Sequence, residues 1–97
     1  MAKGYWIARV DVHDPEAYKA YMAANGEPIA RFGGRFIVRG GRHEVAEGAA
    51  RARNVVVEFP SYQAAVACFH DSGYQDARAL RIPVSEADLI IIEGYDG

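Results

Sequence analysis

The sequence predicts an α+β domain: one antiparallel sheet with two helices on the same face, in the ferredoxin-like order β-α-β-β-α-β. Three observations predict it. Four short runs are rich in branched and aromatic residues, as strands are. Two longer segments carry apolar residues at helical spacing behind good cap residues. The second and third strand candidates follow one another with no helix between them, while helices separate the other pairs. In this plan the strands lie in the spatial order 4-1-3-2, with the first and third central. At 97 residues the chain makes one domain (1–97) with a modest core.

The first strand is GYWIARVDV, Gly4–Val12. Asp14 then stands as N-cap and Pro15 as first helical residue, and Tyr18, Tyr21 and Met22 recur on one helix face. Asn25-Gly26 is expected to interrupt this helix, Pro28 to restart it, and Gly33 to end it in a left-handed cap. RFIVR, Arg35–Arg39, is the second strand; Gly40-Gly41 breaks it, and RHEVAEG is read as a polar, extended hairpin arm. NVVVEF, Asn54–Phe59, is the third strand. Pro60 ends it, Ser61 caps the helix YQAAVACFH, and SGYQDARALR continues as a helical segment stopped by Pro83. DLIIIEGY, Asp88–Tyr95, is the last strand.

The paired glycines in RFGGRFIVRGGRHEVAEG invite comparison with a phosphate-binding loop. Such a loop joins a strand to a helix and carries Gly-Lys-Ser/Thr. Here each pair leads toward strand and no such triplet follows, so the glycines read as turn and bulge positions. A net charge of −2 gives no basic footprint for nucleic acid and no basic amphipathic helix for a membrane surface. The single cysteine, Cys68, excludes an internal disulfide and reads as a small core residue in a reducing compartment. The amino terminus turns charged within ten residues, unlike a secretory segment. A cytoplasmic protein is expected. His13, His43 and His70 have no metal-ligand spacing, so neither metal nor cofactor is expected.

Strand alternation divides the sheet into two faces. Trp6, Ala8, Val10, Val12, Phe36, Val38, Val55, Val57, Phe59, Ile90 and Ile92 form an uncharged set, expected under the helices. The other face carries Tyr5, Ile7, Arg9, Asp11, Ile37, Arg39, Val56, Glu58, Leu89, Ile91, Glu93 and Tyr95. So much apolar surface on a helix-free face marks an interface or ligand site. The expected cover is a second copy of the chain, sheet on sheet, with a pocket enclosed between them. Arg9, Glu58 and Glu93 are expected to meet there as candidate catalytic or ligand-holding groups. Arg9 would hold an anionic or carbonyl oxygen, and a carboxylate raised by burial would act as base. Tyr5, Asp11, Tyr18 and Arg39 are the further candidate ligand contacts. The alternative is a structural ion-pair cluster that only sets the pairing of the sheets.

GYWIARVDVHDPEAYKAY, FGGRFIVRGG, RNVVVEFPSYQAAVACF, YQDARALR and IIIEGYDG together resemble the bacterial domain of unknown function 1330 family. The resemblance runs over nearly the whole chain. It implies membership of the dimeric α/β-barrel superfamily, in which two ferredoxin-like subunits pair sheet to sheet. Relatives there include cofactor-independent monooxygenases, muconolactone isomerases and haem peroxidases. The haem relatives use a histidine ligand whose pattern this chain does not match. The resemblance implies no fixed catalytic set. Two readings follow: a small-molecule-binding barrel, with cofactor-independent oxygenation or isomerisation of a small acid, aromatic ones included, as its enzymatic form; or a non-catalytic homodimeric interaction module.

Overall fold

The computed structural model describes residues 2–97. The chain runs β1 (Gly4–Val12), α1 (Pro15–Arg31), β2 (Arg35–Arg39), β3 (Arg53–Phe59), α2 (Tyr62–His70), α3 (Ser72–Arg81), a short 3-10 turn (Ile82–Val84) and β4 (Ser85–Glu93). The strands form one antiparallel sheet in the order β2-β3-β1-β4, the expected order read from the opposite edge.

Local chemistry starts and stops the helices where it should. The Asp14 carboxylate accepts from the Ala17 N–H at 3.1 Å, with Pro15 as the first residue of α1. Gly33, at φ +78°, closes α1 by donating its N–H to the Ala30 carbonyl. The expected break at Asn25-Gly26 does not occur, and α1 passes unbroken through Asn25, Gly26 and Pro28. Its inner stripe, Tyr18, Tyr21, Asn25 and Ile29, is buried against the sheet. That packing outweighs the roughly 1 kcal/mol propensity cost of a mid-helix glycine. The Ser61 hydroxyl caps α2. Asp71 ends α2 and begins α3, its carboxylate accepting from the Tyr74 N–H at 3.3 Å.

The core lies between the helices and one sheet face. Trp6 is at its centre: its indole N–H donates to the Ala65 carbonyl at 2.8 Å, and its ring sits 4.7 Å from that of Tyr74 and 5.1 Å from that of Phe59. Cys68 is fully buried in α2, as expected of a core residue.

Two strands depart from the expected facing. On β4, Ile91 pairs with Trp6, Leu89 with Ala8 and Ala87 with Val10, so Ala87, Leu89 and Ile91 turn toward the helices. Ile90 and Ile92 face away, and Ile90 stays 55% exposed. On β2 a bulge lies between Phe36 and Val38: Phe36 pairs with Val57, yet Val38 pairs with Val56 and Arg39 with Val55. The extra residue reverses the facing beyond it. Val38 therefore points to the helix-free face and Arg39 to the helix face. The expected hairpin arm is instead an irregular, exposed loop over residues 40–52, with only Arg51 partly covered. Among the described residues, no helix is long and apolar enough to cross a membrane.

Candidate functional site

The expected meeting of Arg9, Glu58 and Glu93 does not form. Glu93 pairs with Gly4, which puts it on the Trp6 face at the far end of β4. Arg9 and Glu58 do share the helix-free face, but Arg9 pairs with Asn54 and Glu58 with Tyr5. Four residues of strand, roughly 13 Å, separate them.

Each remaining candidate on that face has its own partner or setting. Glu58 receives Lys3 at 3.2 Å and Arg35 at 3.1 Å. The Lys3 ammonium, with Arg35 beside it, holds the Glu58 carboxyl below the usual carboxylate range, opposite to the raised value a general base needs. Asp11 accepts from the Ala52 N–H at 3.1 Å and pairs with Arg51 at 2.7 Å, and these two contacts hold its carboxyl low. Arg51 also reaches Glu86 at 3.3 Å and Asp88 at 2.9 Å. Tyr5 stands between Glu58 and Ile92 in the register. This face is an apolar middle, Ile7, Val38, Val56, Ile90 and Ile92, with ion pairs at both ends.

The concave site lies on the other face, between the sheet and α1. Tyr18, Tyr21, Met22 and Asn25 line it from α1, Phe36, Arg39, Arg53 and Val55 from β2 and β3, and Arg81 from the end of α3. Two of the expected contacts, Tyr18 and Arg39, are brought together here, the latter by the β2 bulge. Asn25, Arg53 and Arg81 were not singled out from sequence. Arg53 opens a strong strand, Arg81 ends an amphipathic helix, and Asn25 resembles a helix breaker. Only the common inward direction of three separate elements groups them.

The electrostatics of the cleft are one-sided. Among the described residues, none of Arg39, Arg53 and Arg81 joins an ion pair. Each guanidinium instead lies over an aromatic ring: Arg39 at 4.3 Å from Phe36, Arg53 at 5.8 Å from Tyr18 and Arg81 at 5.3 Å from Tyr21. Arg81 is only 8% exposed. Among the described residues, two side-chain polar atoms are buried without a hydrogen-bond partner, Arg53 Nε and Asn25 Oδ1. No carboxylate or imidazole is among the described lining residues. Burial, reinforced by Tyr21, pushes the Tyr18 phenol up, so it stays a neutral donor near neutral pH. Tyr21 and Tyr74 share a hydroxyl–hydroxyl hydrogen bond of 2.9 Å. Gly40, at φ +71°, lets the chain leave β2 where the Arg53 guanidinium crosses it; a Cβ there would stand 2.5 Å from Nη1.

The enclosed space is about 30 Å³. That holds about two water molecules, against roughly 150 Å³ for a cavity that takes a benzene ring. A ring enters only if the lining moves. Unbranched Met22 and exposed Arg39 are the side chains freest to do so.

Fold and cleft together define a ferredoxin-like α+β protein with a cationic, aromatic-lined crevice under its helices. The chain belongs to the domain of unknown function family DUF1330, whose family model matches residues 3–95. No curated protein matches the chain. A protein of unknown function from Rhodopseudomonas palustris superposes with a TM-score of 0.76 at 21% identity, over 99% of this chain and 85% of that one. SnoaB, a cofactor-independent oxygenase from Streptomyces nogalater, superposes with a TM-score of 0.67 at 14% identity, over 100% and 97%. A dimeric ferredoxin-like protein of unknown function from Thermobifida fusca gives 0.55 at 14% identity, over 95% and 89%. At these identities the likeness is one of fold.

Proposed function

We propose that the protein is a homodimer, paired through the helix-free sheet face, whose subunits each bind a small organic acid in the cleft beneath α1. The observation that carries this is the set of three arginines without acidic partners on an apolar, aromatic wall. Unpaired cations in a partly desolvated site are costly unless an anion completes them. The rings and aliphatic side chains around them favour an apolar, ring-bearing body for that anion. Tyr5, Arg9, Asp11 and Glu58 are assigned to the interface, and Tyr18 and Arg39 to the ligand. Glu93 stands apart from both sets.

Of the two chemistries expected for such a barrel, cofactor-independent oxygenation fits the cleft better than isomerisation. Moving a proton between carbons calls for an acceptor, and the lining offers neither carboxylate nor imidazole. Oxygenation of a substrate acidic enough to ionise by itself needs chiefly cations beside the resulting oxyanion, which the arginines supply. In that reaction a ring CH₂ becomes C=O. The four electrons pass to O₂, one oxygen enters the product and the other leaves as water. The activity stated for SnoaB agrees with this reading at the level of fold.

Titration calorimetry with benzoate and larger aromatic acids tests the binding. Arg53→Ala should weaken the affinity about tenfold to a hundredfold, as loss of a charge-assisted contact does. Equal binding by wild type and variant would remove the cleft from consideration. Oxygen uptake on adding a phenolic or enolic acid tests the chemistry.

A further inference from the structure

We propose that the acid this cleft selects carries a ring hydroxyl, and that Asn25 reads that hydroxyl. The inference rests on the acid-binding reading above and names the substrate class within it. Its starting point is Asn25 itself. The residue is 3% exposed, sits in the middle of α1, lines the cleft, and leaves Oδ1 without any hydrogen-bond partner. A buried amide without partners is destabilising and uncommon. Leucine or alanine there would continue the apolar stripe of Tyr18, Tyr21 and Ile29 at no such cost.

The amide complements a hydroxyl especially well. Its oxygen accepts and its nitrogen donates, and a hydroxyl does both, so the pairing holds whichever way the amide is turned. The size of the enclosed space agrees. About 30 Å³ accommodates the tip of a ligand rather than its ring, and the buried amide on its wall requires that tip to be polar.

The carboxylate end is fixed by the arginines. Arg53 crosses the Tyr18 ring, and its Nε is the second buried atom without a partner. Arg53 Nη2 also lies 3.7 Å from Met22 Sδ, and the Arg81 guanidinium lies over the Tyr21 ring, residues about one helical turn from Asn25. A ring acid whose carboxylate meets these cations can present a hydroxyl to the amide.

The experiment compares benzoate, 2-hydroxybenzoate and 4-hydroxybenzoate by calorimetry on wild type, Asn25→Ala and Asn25→Ser. The expected result is at least one hydroxybenzoate binding about tenfold tighter than benzoate. In Asn25→Ala the ratio of that hydroxy acid to benzoate should collapse to about one while benzoate itself still binds. In Asn25→Ser, whose hydroxyl can pair in turn, part of the ratio should return. Equal affinities in wild type, or a ratio that survives in Asn25→Ala, overturns the assignment of Asn25 and leaves acid binding standing. Failure of all three acids to bind wild type overturns the acid-binding reading and this inference with it. The wild-type comparison decides the matter even if a variant does not fold.

Discussion

Cys68 lies in the last turn of α2 with its Sγ 3.7 Å from the Pro28 carbonyl, and burial, with Asp71 nearby, pushes its thiol up to about 12. In the unfolded chain the same thiol ionises near 9. Between those values the unfolded state has lost its proton and the folded state has kept it, so stability falls as pH rises. The full contribution is present below pH 9 and declines above it by at most about 1.4 kcal/mol per pH unit. Tyr18 and Tyr74 are also pushed up by burial and add to the alkaline loss. The Cys68 share is therefore read as a difference: urea midpoints measured from pH 8 to 10.5 should fall more steeply for wild type than for Cys68→Ala. Parallel slopes would mean that the thiol ionises as readily folded as unfolded. The same protection makes Cys68 inert as a nucleophile, which its apolar sequence neighbours already implied.

At the scale of the element, the bulge in β2 decides what the cleft contains. Deleting Ile37 should restore a regular ladder and leave Arg39 opposite Val55 on the helix face. Benzoate affinity should then stay near that of wild type, whereas Arg39→Ala should lower it about tenfold with the sheet intact by circular dichroism; unchanged affinity in Arg39→Ala would show that Arg39 does not meet the ligand. Much of this level was legible in the sequence. β1, β2 and α2, the caps Asp14 and Ser61, the terminating Gly33 and the strand order all follow from local rules with strong signals. What escaped did so for identifiable reasons. Leu89 to Ile92 is a continuous apolar run, and such a run carries no alternation to assign its faces. The cue lay just upstream, where Glu86 and Asp88 share a facing with Ile90 and Ile92 and belong in water. The bulge left no mark, because Phe36, Ile37 and Val38 are apolar in succession and offer no alternation for an extra residue to interrupt. Asn25 read as a helix breaker because propensity says nothing about what the sheet will cover.

Across the whole molecule, the helix-free face has the makings of an interface. Its centre is Ile7, Val38, Val56, Ile90 and Ile92, and its two ends carry the ion pairs of Lys3, Arg35 and Glu58 and of Arg51 with three carboxylates. Wild type should run at twice the chain mass in light scattering, and Ile90→Lys should shift it to the monomer, because a second cation next to Arg9 is costly to bury in a dry interface. A dimer that survives this change must be built on another surface. The Arg51 clamp has a separate bearing on how the chain can be altered. Arg51 binds Asp11 of β1 and Glu86 and Asp88 of β4, so the connection from β2 is moored at its far end before β3 begins. Everything from Gly41 to Ala50 hangs outside that mooring and contributes no strand to the sheet. Added length there is closed by the same anchor, at an entropic penalty that grows only with the logarithm of the number of residues. This stretch is therefore where the fold accepts a cut, a graft or new chain ends, leaving sheet and cleft as they are.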